Sequence, residues 1–254
     1  MLVLGLDPSL TGFGWALVES DEAGGVKSPA RGTWRTQKKD YSSFIDRYIY
    51  LRGKIRELVR SHKIDRAAIE SPTFGQQASS QMHSLFTFSC EALRENSLDT
   101  VLVGNTQSKA IVRRYLGRPG EWTISKHEMK VAAKKETGDP KNWTGDSADA
   151  FWAGYIGLRF WMFRDREIGK NSLTPYEKKM FTEIQKPKKG KKAGQILKKG
   201  LIHRQNDRFF LWSEEEAISS LEDKLPPALR NKDPKYASEI LKWLERNNYL
   251  NPIK

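Results

Sequence analysis

The chain has 254 residues, and its 44 lysines and arginines against 31 aspartates and glutamates give a net charge of +13. No apolar run approaches the ~18 residues that a membrane-spanning helix requires, and the single cysteine excludes an internal disulfide and a cysteine-built zinc site. The basic excess favours a polyanionic partner, either nucleic acid or an anionic membrane surface, over a surface that only confers solubility.

The amino-terminal part of the sequence predicts a small antiparallel sheet followed by a helix. Residues 2–6 and 12–19 read as two strands joined by a tight turn, and 30–36 as a third strand. Residues 41–61 then carry apolar side chains at helical spacing, which predicts an amphipathic helix packed on the sheet. These side chains are Phe44, Tyr48, Leu51, Ile55 and Leu58.

Strands and helices alternate in the next part of the chain. We expect strands at 65–70 and 100–104. Predicted helices cover 75–95, 106–115, 125–137 and 145–163. Three strands in a row followed by this alternation indicate an α/β domain in which helices flank a mixed sheet.

Beyond residue 164 the composition changes. The stretch 186–199 is rich in lysine and reads as a linker or a flexible basic loop. A hairpin turning at 205–207 and two capped helices starting near Ser213 and Asp233 follow. We therefore predict a domain at 1–164 and a small α-rich carboxyl-terminal extension of unknown role at 165–254.

Two of the predicted strands end on a carboxylate. Asp7 ends the first strand and Glu70 ends the strand at 65–70, and functional groups of α/β sheets lie at the carboxyl ends of strands. Asp146 and Asp149 share one face near the start of a predicted helix. If that helix packs beside the strand ends, four carboxylates converge, and their repulsion requires a positive charge between them. An all-oxygen ligand set favours Mg²⁺ and then Mn²⁺.

Two such ions ~4 Å apart would clamp a phosphodiester, one activating water and the other stabilising the leaving 3′ oxygen. Each carboxylate also has an ordinary structural explanation. In that explanation Asp7 before Pro8 would form a turn, Glu70 would be a strand-end surface residue, and Asp146 would stabilise a helix amino terminus. Asp149 lies among apolar residues and fits such an explanation least well.

The ordered set of motifs resembles the RuvC family of Holliday junction resolvases, within the RNase H-like superfamily. LGLDPSLTGFGWALVE looks like the family's opening strand, AAIESP like its second acidic strand and GDSADAFWAGY like its closing helix. The resemblance covers residues 1–164. It implies that Asp7, Glu70, Asp146 and Asp149 are catalytic ligands of two Mg²⁺ ions, for which Mn²⁺ can substitute, in a nuclease that resolves four-way DNA junctions by paired nicks.

The same resemblance implies partners. It places a homodimer interface on the 75–95 helix, with core packing as the alternative role of its apolar residues Met82, Leu85, Phe86, Phe88 and Leu93. Branched DNA would be the substrate, and branch-migration or replication proteins would be further partners. Since bacterial members end soon after the closing helix, the extension suggests a phage or divergent member. A chain with strand-like residues from Leu2 and one cysteine predicts no leader peptide and a cytoplasmic location in a bacterial or phage-infected cell.

A set of basic residues is expected to contact DNA phosphates, with a solvated helix face as the alternative for each. These residues are Lys109, Arg113, Arg114, Lys126, Lys130, Lys134 and Lys135. Phe74 is the nearest candidate for the aromatic residue that the family places after its second acidic residue.

Three other functions remain open at this point. The same carboxylates would serve an RNase H-like nuclease that cuts flaps, forks or RNA–DNA hybrids. An actin-like ATPase has a first phosphate loop that also resembles LGLDPSLTGFG, but the chain lacks a second such loop and a glycine-rich adenosine site. A noncatalytic DNA-binding protein is the third, and the presence of all four carboxylates argues against it.

Overall fold

The computed structural model describes residues 1–21, 25–72, 80–165, 167–182, 184–185, 197–198, 202–205 and 208–211. Phe74, the helices predicted near Ser213 and Asp233, and most of the lysine-rich stretch 186–199 lie outside the described residues. The chain divides into two compact units, one of residues 1–176 and 202–209 and the other of residues 177–201 and 210–254. The predicted division into a nuclease domain and an extension stays a prediction.

The elements predicted between residues 2 and 164 are present within a few residues of their predicted bounds. The strands are β1 (Leu2–Asp7), β2 (Phe13–Ser20), β3 (Val26–Lys27), β4 (Arg31–Trp34), β5 (Arg66–Ser71), β6 (Thr100–Gly104), β7 (Ile184–Gln185), β8 (Leu197–Lys198), β9 (Ile202–Gln205) and β10 (Arg208–Leu211). The helices are α1 (Phe44–Ser61), α2 (Ser80–Glu95), α3 (Asn105–Tyr115), α4 (Lys126–Thr137), α5 (Gly145–Arg164) and α6 (Pro175–Thr182).

One mixed sheet organises the first unit. Its order is β10-β9-β6-β5-β1-β2-β3, and β4 also pairs with β2. The pairs of β2 with β1, β3 and β4 are antiparallel, which confirms the predicted meander. Strands β1, β5 and β6 are parallel neighbours, so their carboxyl ends share one edge of the sheet. The predicted hairpin forms as β9 and β10, and β9 pairs antiparallel with β6.

Helix α5 lies on one face of this sheet in unusually close contact. A Cβ atom on Gly5 of β1 would lie 2.1 Å from the carbonyl oxygen of Ala150 and 2.7 Å from the backbone nitrogen of Gly154. Only glycine at position 5 therefore allows the helix backbone to approach the strand this closely. The aromatic rings of Trp152 and Trp161 are fully buried and complete this side of the core.

Helices α1 and α2 cover the opposite face. Leu4 and Leu6, which alternate with Gly5 along β1, belong to a core cluster with apolar residues of α1 and α2. Leu85 and Leu93 of α2 are buried in this cluster, so for these two residues the core alternative is confirmed over the interface role. No helix in the described ranges is both long and apolar enough to cross a membrane.

Candidate active site

Asp7 and Glu70 lie side by side at the carboxyl edge of the parallel strands. Asp7 is the last residue of β1, and Glu70 precedes the last residue of β5. The two strands are in register with Leu6 opposite Ile69, so the next pair along the strands brings the two carboxylates together. Both carboxylates therefore lie at the carboxyl edge of the parallel strands, which is where functional groups of α/β sheets are found.

Asp146 and Asp149 approach the same edge from the first two turns of α5. The Thr144 hydroxyl caps this helix by accepting a hydrogen bond from the Ser147 backbone N–H at 2.9 Å, and it lies 2.6 Å from the Thr33 hydroxyl of β4. A Cβ on Gly12 would lie 2.5 Å from the Asp146 carboxylate oxygen Oδ2. The glycine of the turn after Asp7 thus leaves room for the carboxylate of Asp146.

Lys126, the first residue of α4, forms ion pairs with this cluster. Its ammonium donates a hydrogen bond to Asp146 Oδ1 at 2.7 Å and lies 3.6 Å from Asp149 Oδ2. Partial burial acts to lower the pKa of Lys126, but the hydrogen bond to Asp146 and the charge of Asp149 outweigh burial and raise it. Lys126 was predicted to contact a DNA phosphate, and this role stays a prediction.

The carboxylates are crowded enough to disfavour their own ionisation. Burial raises the pKa of Asp7 well above its usual value, and the charges of Glu70 and Asp149 add to the rise. Burial and the charge of Asp149 raise the pKa of Glu70 to about 7. Burial also raises the pKa of Asp149, against the opposing charges of Lys126 and Lys109. Negative charge is therefore concentrated here beyond what the protein's own cations neutralise.

Two residues of α3 interact with Glu70, one by a hydrogen bond and one by its charge. The first of them, Asn105, was not predicted from the sequence. The Asn105 side chain donates a hydrogen bond from Nδ2 to Glu70 Oε1 at 2.9 Å. Lys109, one helical turn later, lowers the pKa of Glu70 by its charge. Asn105 directly follows β6, the third parallel strand, so the rule that selected Asp7 and Glu70 would also have selected it.

Buried Arg47 of α1 holds the turn that follows Asp7. Its guanidinium donates to the carbonyl oxygens of Leu10 and Thr36 and, at 3.1 Å, to the Thr36 hydroxyl. Thr36 also donates its hydroxyl hydrogen to the Leu10 carbonyl. The turn between Asp7 and Gly12 is thereby tied to the segment after β4. No motif in the sequence identified Arg47, because its partners come together only in the fold.

The donor set fits a hard divalent cation. All four acidic side chains offer oxygen, as Mg²⁺ and Mn²⁺ prefer, and a cavity of about 60 Å³ lies beside Asp7 and Glu70, lined also by Met82 and Phe86. In the part of the chain that the structure describes, no three acidic, histidine or cysteine side chains already point at one common position. Lys126 instead bonds Asp146, and Asn105 bonds Glu70.

The other residues predicted to contact DNA lie on α3 and α4. Arg113 donates a hydrogen bond to the Gly120 carbonyl, and the Arg114 guanidinium stacks 4.0 Å from the Tyr176 ring centroid. Lys130 is half-buried and Lys134 is exposed. Together with Lys126 they follow one another at intervals of four residues, so all three lie along one side of α4.

Two solved structures of RuvC are similar to this chain. The structure of Thermus thermophilus RuvC in complex with a Holliday junction substrate matches with a TM-score of 0.52 and 16% identity, over 65% of this chain and 96% of that one. A second Thermus thermophilus RuvC structure matches with a TM-score of 0.52 and 18% identity, over 66% of this chain and 97% of that one. No protein-family model and no curated protein matches the chain.

The fold is therefore the RNase H-like fold of RuvC-type resolvases, a mixed sheet flanked by helices. This confirms the fold predicted from the three acidic motifs. The likeness extends over about two thirds of the chain.

Proposed function

We propose that the protein is a metal-dependent endonuclease that resolves four-way DNA junctions by paired, symmetric nicks. The observation that carries this proposal is the convergence of Asp7, Glu70 and Asp149 with Asp146 and Lys126 at the carboxyl edge of a RuvC-like sheet. Partly buried carboxylates with raised pKa values are costly to the fold, and such a cost is typical of a functional site.

The four carboxylates would hold the divalent ions, with Asn105 fixing the orientation of Glu70 through its 2.9 Å hydrogen bond. Bound Mg²⁺ or Mn²⁺ would supply an activated water and stabilise charge on the scissile phosphate. Lys126 pairs with Asp146 and Asp149 and partly neutralises their charge. Lys109, whose charge reaches both Glu70 and Asp149, adds positive potential where the phosphate would lie.

The basic side of α4 supports DNA as the substrate. Lys126, Lys130 and Lys134 extend for about 12 Å along the helix, starting at the acidic cluster. Such a row positions a strand through its phosphates without reading sequence. A dimer with two-fold symmetry would present two such sites, as two symmetric nicks require, and the predicted interface is the 75–95 helix.

The test compares cleavage of a four-way junction, a flap, a fork, an RNA–DNA hybrid and plain duplex by the wild-type chain and by Asp7→Asn. We expect symmetric nicks in the junction with Mg²⁺ or Mn²⁺, none in EDTA, and a loss of about 10³-fold or more in Asp7→Asn. Junction binding should persist in the variant. The control is Asp40→Asn, at an exposed aspartate.

Undiminished cleavage by Asp7→Asn would refute the assignment of the site. Faster cleavage of flaps, forks or hybrids than of junctions would favour the alternative RNase H-like nuclease, which uses the same carboxylates. ATP turnover by the purified protein would favour the actin-like ATPase.

A further inference from the structure

Trp122 stands apart from the other tryptophans that the structure describes. It lies in the loop between α3 and α4, and 46% of its surface is exposed. Trp143, Trp152 and Trp161 are buried in the core, and Trp15 and Trp34 are half-buried and stack on each other. An indole left this open costs hydrophobic free energy, and tryptophan is a side chain enriched at binding surfaces.

The exposed ring is nevertheless held in place. Its Nε1–H donates to Glu128 Oε1 at 3.1 Å, and the Arg118 guanidinium lies 5.2 Å from the ring centroid. Arg118 in turn pairs with Glu128 at 3.5 Å. The Trp122 backbone N–H donates to the Pro119 carbonyl at 3.1 Å. A flat aromatic surface fixed at its polar edge is preorganised, so a ligand that stacks on it loses little conformational entropy of the protein.

The charge of the segment that carries the ring, together with Arg118 at the ring itself, indicates which planar ligand it would take. Between residues 113 and 130 the chain carries five arginines and lysines against two glutamates. One of these glutamates, Glu128, is already bound to Arg118 and Trp122 and caps α4. A platform with positive surroundings suits a π-system attached to an anionic backbone, which is the chemistry of a nucleotide. An apolar side chain of a protein would gain nothing from these cations.

The position relative to the acidic cluster supports the same ligand. Lys126 bonds Asp146 and Glu128 bonds Trp122, and these two residues are two positions apart in the first turn of α4. Trp122 is therefore held at the same end of α4 as the ion pair between Lys126 and Asp146, so a strand that reaches the acidic cluster can also reach the ring.

We propose that Trp122, with Arg118, is a stacking site for an unpaired nucleobase of a DNA strand that passes α4. The site does not need cleavage, and it binds single-stranded DNA whether or not the acidic cluster is active. It would recognise the face of the base and tolerate any sequence, since every base has a π-face.

The test measures binding of the full chain in EDTA to a labelled oligothymidylate and to an abasic oligonucleotide of the same length. Loss of the indole in Trp122→Ala should weaken binding to oligothymidylate by about tenfold and leave binding to the abasic strand unchanged. Trp122→Phe, which keeps a ring, should retain most of the affinity. Val131→Ala, at an exposed apolar residue of the neighbouring helix α4, is the matched control.

A fluorescent base analogue gives a second readout that a general structural effect would not change. 2-Aminopurine in the oligonucleotide should be quenched by stacking in the wild-type chain and Trp122→Phe, and should recover in Trp122→Ala. An equal loss on both oligonucleotides would overturn the proposal, because the effect would then lie in phosphate contacts or folding. Unchanged binding would also overturn it and would leave the surface to a protein partner. Because binding is measured in EDTA, where the proposed nuclease is inactive, this result is separate from the nuclease test.

Discussion

The middle of the sheet and its carboxyl edge use the same helix in opposite ways. In the middle, α5 lies against β1 through Gly5 and Gly154 and buries Trp152 and Trp161. At the edge, the first turns of α5 bring Asp146 and Asp149 towards Asp7 and Glu70, where burial and like charge raise pKa values. The middle stabilises the fold, whereas the edge destabilises it. The close contact in the middle is what holds the carboxylates together.

The largest effect is expected from the middle. Gly5→Ala would place a Cβ 2.1 Å from the Ala150 carbonyl oxygen, which is backbone and cannot move unless α5 shifts. We expect a loss of about 3 kcal/mol in the free energy of unfolding, the upper range for overpacking, measured by urea denaturation. Gly53→Ala in α1 is the control, since its Cβ would meet nothing within 4 Å and should stabilise the helix by ~0.5–1 kcal/mol. Equal stability of the Gly5 variant and wild type would show that the close contact is not required.

A substitution at the carboxyl edge should instead increase the free energy of unfolding. The folded-state pKa of Glu70 is raised to about 7, mainly by burial, so the folded protein binds this proton more tightly than the unfolded chain. The destabilisation caused by ionising Glu70 is absent below pH ~4, grows as the pH rises to 7, and is complete above that. At pH 8 the free energy of unfolding of Glu70→Gln should therefore exceed that of wild type by about 2 kcal/mol. At pH 4 the two proteins should be equally stable.

The measurement is metal-free urea denaturation at several pH values. Glu121→Gln, at an exposed glutamate, is the control. Mg²⁺ should reduce the difference by stabilising ionised Glu70 in the wild-type protein. A less stable Glu70→Gln at pH 8 would contradict the view that the edge is electrostatically strained.

A substitution of Asn105 tests whether its hydrogen bond orients the Glu70 carboxylate for metal binding. Asn105→Ala removes the hydrogen bond to Glu70, and we expect about tenfold weaker Mg²⁺ or Mn²⁺ binding, as for other residues that orient metal ligands. Titration calorimetry measures the affinity, and junction binding in EDTA should stay unchanged. The control is Asn96→Ala, whose side chain bonds a backbone carbonyl of α2. Wild-type metal affinity in Asn105→Ala would mean that the hydrogen bond does not orient the site.

The smallest effect is expected on α4, away from the carboxylates. Lys130→Ala with Lys134→Ala should weaken junction binding several-fold and lower the salt dependence by about two ions, while cleavage at saturating enzyme stays unchanged. Fluorescence anisotropy at several salt concentrations measures both. Lys63→Ala is the control, since Lys63 is exposed and precedes β5, away from the carboxyl edge. An unchanged salt dependence in the double variant would show that these lysines do not contact DNA and belong to a solvated helix face.

Much of the fold was predictable because its signals are local. Strand and helix periodicity located the elements between residues 2 and 164, and the strand-end rule identified Asp7 and Glu70. The same rule could have identified Asn105 after β6. The pairing of β9 with β6 was not predictable, because nothing local in 202–205 states which edge a hairpin joins.

The sequence by itself determined the order of strands and helices and the positions of four acidic residues, because alternation, helical spacing and turn chemistry act over short stretches of chain. Only the tertiary structure decided that Lys126 pairs with Asp146 and Asp149, that Arg47 holds the turn after Asp7, and that Leu85 and Leu93 are core. These contacts join residues distant in the chain, and their energies depend on burial and distance, which exist only once the helices pack on the sheet.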